Sequence, residues 1–250
     1  MDYYITNKWQ PCKIKMESFK MKYPSITFTC TTSKRFDLYV QMMISFFYSC
    51  LDMDLIENYI IVDDGSPINE IHEMGRLFPK TNVIKNTKGG QLNSIKMILD
   101  CVDTEYMFHS EDDWNFLIQD HYIRKGFDIM HTDSRIKQVT LRFWECMYIN
   151  DDGLEYRMHN YSPMDIKEDY DIIKYSDCNY GGLTLNPSLI HVPTFKECMK
   201  NVHQENSESR IWDKKLSMNY WNAGYKRANL NDEYIEHTGT YDSRYPRINA

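Results

Sequence analysis

Tyr106-Met107-Phe108-His109-Ser110-Glu111-Asp112-Asp113-Trp114 is a short apolar run that stops on three adjacent carboxylates and an aromatic residue. Tyr106, Met107 and Phe108 suit a buried strand. Neighbouring carboxylates repel one another, the more so the drier the site. A chain tolerates such a cluster where it faces water or holds a cation. An all-oxygen ligand set suits a hard or borderline ion such as Mg²⁺ or Mn²⁺. A solvated acidic turn carries the same residues, so the tripeptide by itself decides nothing.

Upstream, the same arrangement recurs. Ile26-Thr27-Phe28-Thr29-Cys30-Thr31 is β-branched and aromatic, and reads as a first strand buried on both faces. The polar loop Thr32-Ser33-Lys34-Arg35 follows, then an apolar-rich helix from Phe36 to Leu51. Tyr59-Ile60-Ile61-Val62 is a second buried strand, and it too stops on carboxylates, at Asp63-Asp64-Gly65-Ser66-Pro67. A helix over 69–78, a strand over 82–85, the basic glycine loop Asn86-Thr87-Lys88-Gly89-Gly90 and an amphipathic helix over 91–101 lead back to the opening stretch. Alternation of this kind predicts an α/β fold: a Rossmann-like, mostly parallel central sheet with helices on both faces. Ligands of such sheets bind outside the carboxyl ends of the strands. Thr31, Asp63, the Lys88 loop and Glu111 to Asp113 all fall there.

Downstream, the pattern predicts a helix over 116–131 and a strand over 139–144. A hairpin turn at Asn150-Asp151-Asp152-Gly153 joins Tyr148 to Tyr156. Gly181 to Pro187 reads as a turn and short strand, 193–202 and 209–222 as helices, with Gly224 closing the second. Short strands at 226–230 and 233–236 precede His237-Thr238-Gly239.

Composition sets the outer bounds. The chain of 250 residues is 42% hydrophobic, enough for a sizeable core. A net charge of -7 argues against a nucleic-acid partner or an anionic membrane surface. Its seven cysteines are odd in number and widely spaced, without a C-x-x-C, so we expect reduced core thiols in a soluble protein of the cytoplasm or another reducing compartment. We expect no signal peptide and no transmembrane segment.

Val62-Asp63-Asp64-Gly65-Ser66, then Asn86 to Asn93, then Glu111-Asp112-Asp113, in that order at successive strand ends, resemble a GT-A glycosyltransferase of the family-2 type. The match runs over residues 25–240, divided into a nucleotide-binding half at 25–115 and an acceptor-binding half at 116–240. Residues 1–24 form an N-terminal extension and 241–250 a tail. The resemblance implies a hexosyltransferase with a UDP-sugar donor, a sugar, protein or glycan acceptor, and Mn²⁺ or Mg²⁺. Asp63, or else Asp64, would hold the base, with backbone at Thr31. Arg35 and Lys88 would approach the ribose or diphosphate. Asp112 would reach the ribose, and Asp113 would bind both metal and nucleotide. Glu111 replaces the usual first Asp of the D-x-D motif, and His237 resembles the C-terminal histidine that completes many such metal sites.

The base of an inverting transfer is Glu208 or Asp213 on this resemblance. Glu208 ranks first, because it precedes Ile211, Lys214 and Leu216 as in a subgroup with a lone Glu. The usual Glu-Asp pair is missing from residues 203–222, the stretch leading to Gly224-Tyr225. Trp144, Tyr180, Gly181 and Gly182 could frame the acceptor. A non-catalytic carbohydrate-binding relative fits the missing pair. A nucleotidyltransferase fits less well, because the loop after the first strand has no glycine.

Overall fold

The computed structural model describes residues 23–143, 147–149, 155–157, 163–166, 170–173, 182–203 and 209–238. Its first half follows the expected alternation closely: β1 Ile26–Thr32, α1 Phe36–Ser49, β2 Ile56–Asp63, α2 Ile68–Leu77, β3 Thr81–Lys85, α3 Gln91–Cys101 and β4 Tyr106–Glu111. Successive strand residues point to opposite faces, and here both faces are apolar. Phe28, Tyr59, Ile61 and Phe108 enter one core with residues of α1 and α2, while Ile60, Val62 and Met107 enter a second core with α3. Phe46 of α1 lies 4.3 Å from the Phe28 ring and 5.7 Å from Phe108. A fully buried aromatic of this size contributes about 1.5–3 kcal/mol, so α1 is fixed by such contacts more than by helix propensity.

The second half is β5 Trp114–Phe116, α4 Tyr122–Thr132, β6 Ile136–Phe143, β7 Met147–Ile149, β8 Glu155–Arg157, β9 Pro163–Ile166, β10 Tyr170–Ile173, β11 Ser188–His191, α5 Val192–Met199, α6 Ser209–Asn222 and β12 Lys226–His237. The main sheet runs β3-β2-β1-β4-β11-β6-β12-β10-β9, with β5 beside β12. β3, β2, β1 and β4 pair in parallel, and so do β6 and β12, whereas β11 enters antiparallel between β4 and β6. α4 packs into the α1 core, and α5 and α6 into the α3 core. β7 and β8 pair antiparallel with Tyr148 opposite Tyr156, and the turn expected at Asn150 to Gly153 lies outside the described residues.

Three expectations are corrected. The helix placed at 116–131 begins only at Tyr122, because Trp114 to Phe116 pairs with Ile235 to His237. α4 is capped from afar: the buried Asp52 carboxylate accepts the N–H groups of Ile123 and Arg124 at 2.9 and 3.0 Å. The short strand placed before Pro187 lies after it, as β11. The last two strands are one, β12, with an irregular register between Asn229 and Glu233.

Gly224 ends α6 with φ +81°, as its sequence position predicts. Gly182 has a different reason to be glycine. A Cβ there would lie 2.0 Å from the Ser217 carbonyl oxygen of α6, and the Gly182 N–H already bonds Ser217 Oγ at 2.9 Å. Backbone against backbone cannot yield without moving the helix. Gly182→Ala is therefore expected to destabilise the protein by about 3 kcal/mol, the upper end for overpacking. Urea denaturation followed by circular dichroism measures it; wild-type stability would mean that α6 is not seated against this loop.

Candidate active site

Parallel pairing brings the strand ends level. Thr32 is opposite Asp63, Asp63 opposite Lys85, and Thr31 opposite Glu111. The loops beyond are tied to one another. Asp64 N–H bonds the Thr32 carbonyl at 2.8 Å, Ser33 Oγ donates to the Asp64 carbonyl at 2.7 Å, and Lys34 N–H bonds Ser66 Oγ at 3.0 Å. Lys34 adopts φ +52°, a strained conformation for a residue with a side chain, costing of order 1 kcal/mol. Strain of this kind persists where the surrounding bonds over-determine it.

Asp63 and Asp64 have different surroundings. Asp63 is fully buried; its Oδ1 accepts the Ser66 N–H at 2.8 Å, and its Oδ2 has no hydrogen-bond partner among the described residues. Asp64 Oδ2 accepts the Gly90 N–H at 2.8 Å, tying the β2 loop to the glycine loop. Within that loop Asn86 Oδ1 accepts the N–H groups of Lys88 and Gly89 at 3.0 and 3.1 Å. Gly89 and Gly90 take positive φ, +70° and +86°. The Lys88 side chain is exposed.

The carboxylates at the end of β4 diverge. Glu111 Oε1 accepts from Gln91 Nε2 at 2.5 Å. Burial, and then the charges of Asp113 and Asp112, push its carboxyl up to about 8. Asp112 is buried and receives Thr32 Oγ at 2.8 Å, the Ser33 N–H at 3.2 Å and Arg35 Nε at 3.2 Å, with Arg35 Nη2 on its other oxygen. Burial raises Asp112 to about 6 against the pull of Arg35. Asp113 Oδ2 takes Arg35 Nη1 at 2.9 Å and lies 3.4 Å from His237 Nε2. Burial pushes Asp113 up, but His237 and Arg35 more than offset it and hold it below the usual carboxylate range. Its Oδ1 has no hydrogen-bond partner among the described residues.

The structure thus gathers Thr31, Arg35, Asp63, Asp64, Lys88, Glu111, Asp112, Asp113 and His237 along one sheet edge. It brings Asp113 and His237 together but turns Glu111 toward Gln91. Among the described residues no three acid, histidine or cysteine side chains converge as a ready metal cage. The remaining donors still fit a divalent ion, since a carboxylate oxygen without a partner and an imidazole nitrogen leave the other positions to water and phosphate. Asp213 sits half-exposed on α6, its carboxylate accepting the Lys214 N–H at 2.6 Å. Glu208, Trp144, Tyr180 and Gly181 lie outside the described residues. Sequence reasoning missed Thr32, Ser33, Gln91 and Asn86 as organising residues. Only Asn86 carried a usable signal, an Asn ahead of a Gly-Gly turn.

No family model and no curated protein matches the sequence. Among solved structures, that of GalNAc-T7 with UDP, GalNAc and Mn²⁺ superposes with a TM-score of 0.60 at 8% identity. The chain has a GT-A-like fold. The match covers 85% of this chain and 44% of that one, so the chain spans less than half of the solved protein. At this identity the likeness concerns the fold. Among the described residues no helix is long and apolar enough to cross a membrane.

The Glu111 carboxyl gives a pH test. Its folded value, about 8, lies above the ordinary 4.5, so the folded state holds this proton more tightly. The stabilising contribution is complete below about pH 4.5 and is lost as pH rises through about 8. Glu111→Gln removes the titration. Without divalent cation, the Tm of the variant should gain on wild type between about pH 5 and pH 8.5. The expected gain is roughly 2–4 °C, or about 1 kcal/mol after allowance for partial exposure. A difference that stays constant with pH would show that Glu111 is not held protonated.

Proposed function

We propose that the protein is a metal-dependent, inverting glycosyltransferase that moves a sugar from a UDP-sugar to an acceptor hydroxyl. The observation that carries this reading is a pair of buried carboxylate oxygens, Asp63 Oδ2 and Asp113 Oδ1. Both lie at the carboxyl edge of one sheet, and neither has a hydrogen-bond partner among the described residues. Burying an acceptor without a partner costs about 1–3 kcal/mol, and more if charged, so such atoms mark where a ligand completes the site. The GT-A-like fold supports a glycosyltransferase-like function, as do the UDP and Mn²⁺ in the GalNAc-T7 structure.

Each residue then has a physical task. Asp63 Oδ2 accepts the N–H of the uracil, and backbone at Thr31 meets its carbonyls. Asp64 is committed to Gly90 and shapes the glycine loop that flanks the ribose and carries Lys88. Asp112 has its oxygens taken by Thr32, Ser33 and Arg35, so it anchors Arg35 rather than contacting the ribose. Asp113 and His237 would hold the divalent ion, with Glu111 joining when it loses its proton. When bound, the ion would supply positive charge against the negative charge that develops on the departing diphosphate. A base on or before α6, Glu208 or Asp213, takes the proton of the acceptor hydroxyl as that oxygen attacks the anomeric carbon. The domain reading of 25–115 for the nucleotide and 116–240 for the acceptor belongs with this proposal.

Thermal shift with UDP, with and without Mn²⁺, tests the donor site. Asp113→Ala should abolish the Mn²⁺-dependent part of the UDP shift. Asp63→Ala should weaken UDP about 10- to 100-fold at every Mn²⁺ level, the worth of a hydrogen bond to a charged group. Unchanged affinity in both would overturn the site. Metal-dependent release of UDP from a panel of UDP-sugars tests the reaction, while tight binding without turnover would favour the non-catalytic relative.

The base is tested separately. Glu208→Gln or Asp213→Asn should leave UDP affinity intact and lower transfer by about 10²-fold or more. If neither does, the inverting scheme loses its base, and the anomeric configuration of the product, read by NMR, decides the stereochemistry.

A further inference from the structure

Arg35 has two grips of unequal strength. Asp112 holds it along an edge: Nε bonds Oδ2 at 3.2 Å, and Nη2 pairs with Oδ1. Asp112 is itself fixed, buried and bonded to Thr32 Oγ and the Ser33 N–H. The second grip is a single contact, Nη1 to Asp113 Oδ2 at 2.9 Å. That same oxygen lies 3.4 Å from His237 Nε2. The Arg35 guanidinium and the His237 imidazole therefore address one carboxylate oxygen, and the imidazole nitrogen is a metal-ligand type.

We propose that Arg35 and the divalent cation compete for Asp113, and that cation binding converts Arg35 from a carboxylate partner into a donor for the diphosphate. This rests on the metal site proposed above. An ion held by Asp113 and His237 places positive charge against Nη1, and in a partly buried site like charges repel strongly. The guanidinium yields its terminal contact and keeps its grip on Asp112, because that edge is locked by Thr32 and Ser33. Nη1 then has an unused N–H beside the cation, in the geometry that suits a phosphate oxygen. Cation and nucleotide consequently strengthen each other's binding, and Arg35 couples them.

The test separates this coupling from general damage. Mn²⁺ affinity without nucleotide, by electron paramagnetic resonance, and UDP affinity at saturating Mn²⁺, by calorimetry, are measured for wild type and Arg35→Met. The expected result is a split: Mn²⁺ at least about tenfold tighter in the variant, because its competitor is gone, and UDP at least about tenfold weaker, because a charged donor is gone. A merely structural loss would weaken both. A folded variant with unchanged or weaker Mn²⁺ affinity, beside clear binding by wild type, overturns the competition and leaves the proposed function standing. Mn²⁺ binding by neither protein overturns both.

Should Arg35→Met not fold, wild type decides. The Arg35 side-chain nitrogens are followed by NMR during titration with diamagnetic Mg²⁺. Loss of the Nη1 bond with Nε unmoved supports the proposal, and Arg35 signals unaffected by saturating Mg²⁺ overturn it.

Discussion

The site is governed by charge compensation at the end of β4. Three acids stand side by side on a strand that ends in a nearly dry edge, with Asp112 and Asp113 at 1% and 9% exposure. Charges so placed either neutralise or find partners. Here each takes a different route. Burial holds the Glu111 carboxyl up at about 8, Asp112 is bonded to a hydroxyl, an amide and a guanidinium, and Asp113 is shared by Arg35 and His237. The loop after β1 exists in its observed form because it must deliver Thr32, Ser33 and Arg35 to those carboxylates. Removing one partner of a buried ion pair commonly costs about 3–5 kcal/mol, which measures how firmly that loop is committed.

Everything else at the edge is secured through that loop. Ser33 and Lys34 bond the turn after β2, and Asp64 of that turn holds Gly90 of the loop after β3. Three successive strand ends thus form one connected hydrogen-bonded rim. The strained Lys34 backbone sits within it, held by neighbours on both sides. A rim of this kind is pre-organised, so a ligand meets groups already placed and loses less free energy in ordering them.

How much of this was legible in the sequence depended on range. The first half is made of strands buried on both faces and amphipathic helices, and those patterns are local; α3 and α6 were placed to the residue. The carboxyl-edge acids followed from the strand ends. What failed was long-range. The start of α4 is set by Asp52, some seventy residues earlier. β11 is short and slips between two strands from elsewhere in the chain, so nothing nearby announces it. The partnership of Arg35 with two carboxylates was invisible for the same reason, although Arg35, Asp112 and Asp113 were each singled out. Gly182 could frame an acceptor on the sequence alone, and the structure adds a constraint the sequence does not show, the close Ser217 carbonyl.

The distance between Asp113 and His237 has a further consequence. His237 arrives at the site on β12, whose end pairs with β5 so that His237 faces Trp114. Their rings lie 4.7 Å apart, and Thr238 bonds the Asp113 carbonyl through both N–H and Oγ, at 2.8 and 3.1 Å. Those groups are 125 positions apart in the chain. The hydrogen-bonded rim of the first three strand ends, by contrast, closes within the first ninety residues or so, from β1, β2 and the glycine loop. Contacts of such different sequence separation do not form with equal ease, because closing the longer loop costs more entropy. Asp63, Asp64 and the glycine loop can thus be set by the parallel half, whereas the Asp113–His237 pair exists only once the last strand has crossed the sheet. In a fold of this topology the contact between Asp113 and His237 reports that β12 has reached the edge of the parallel strands.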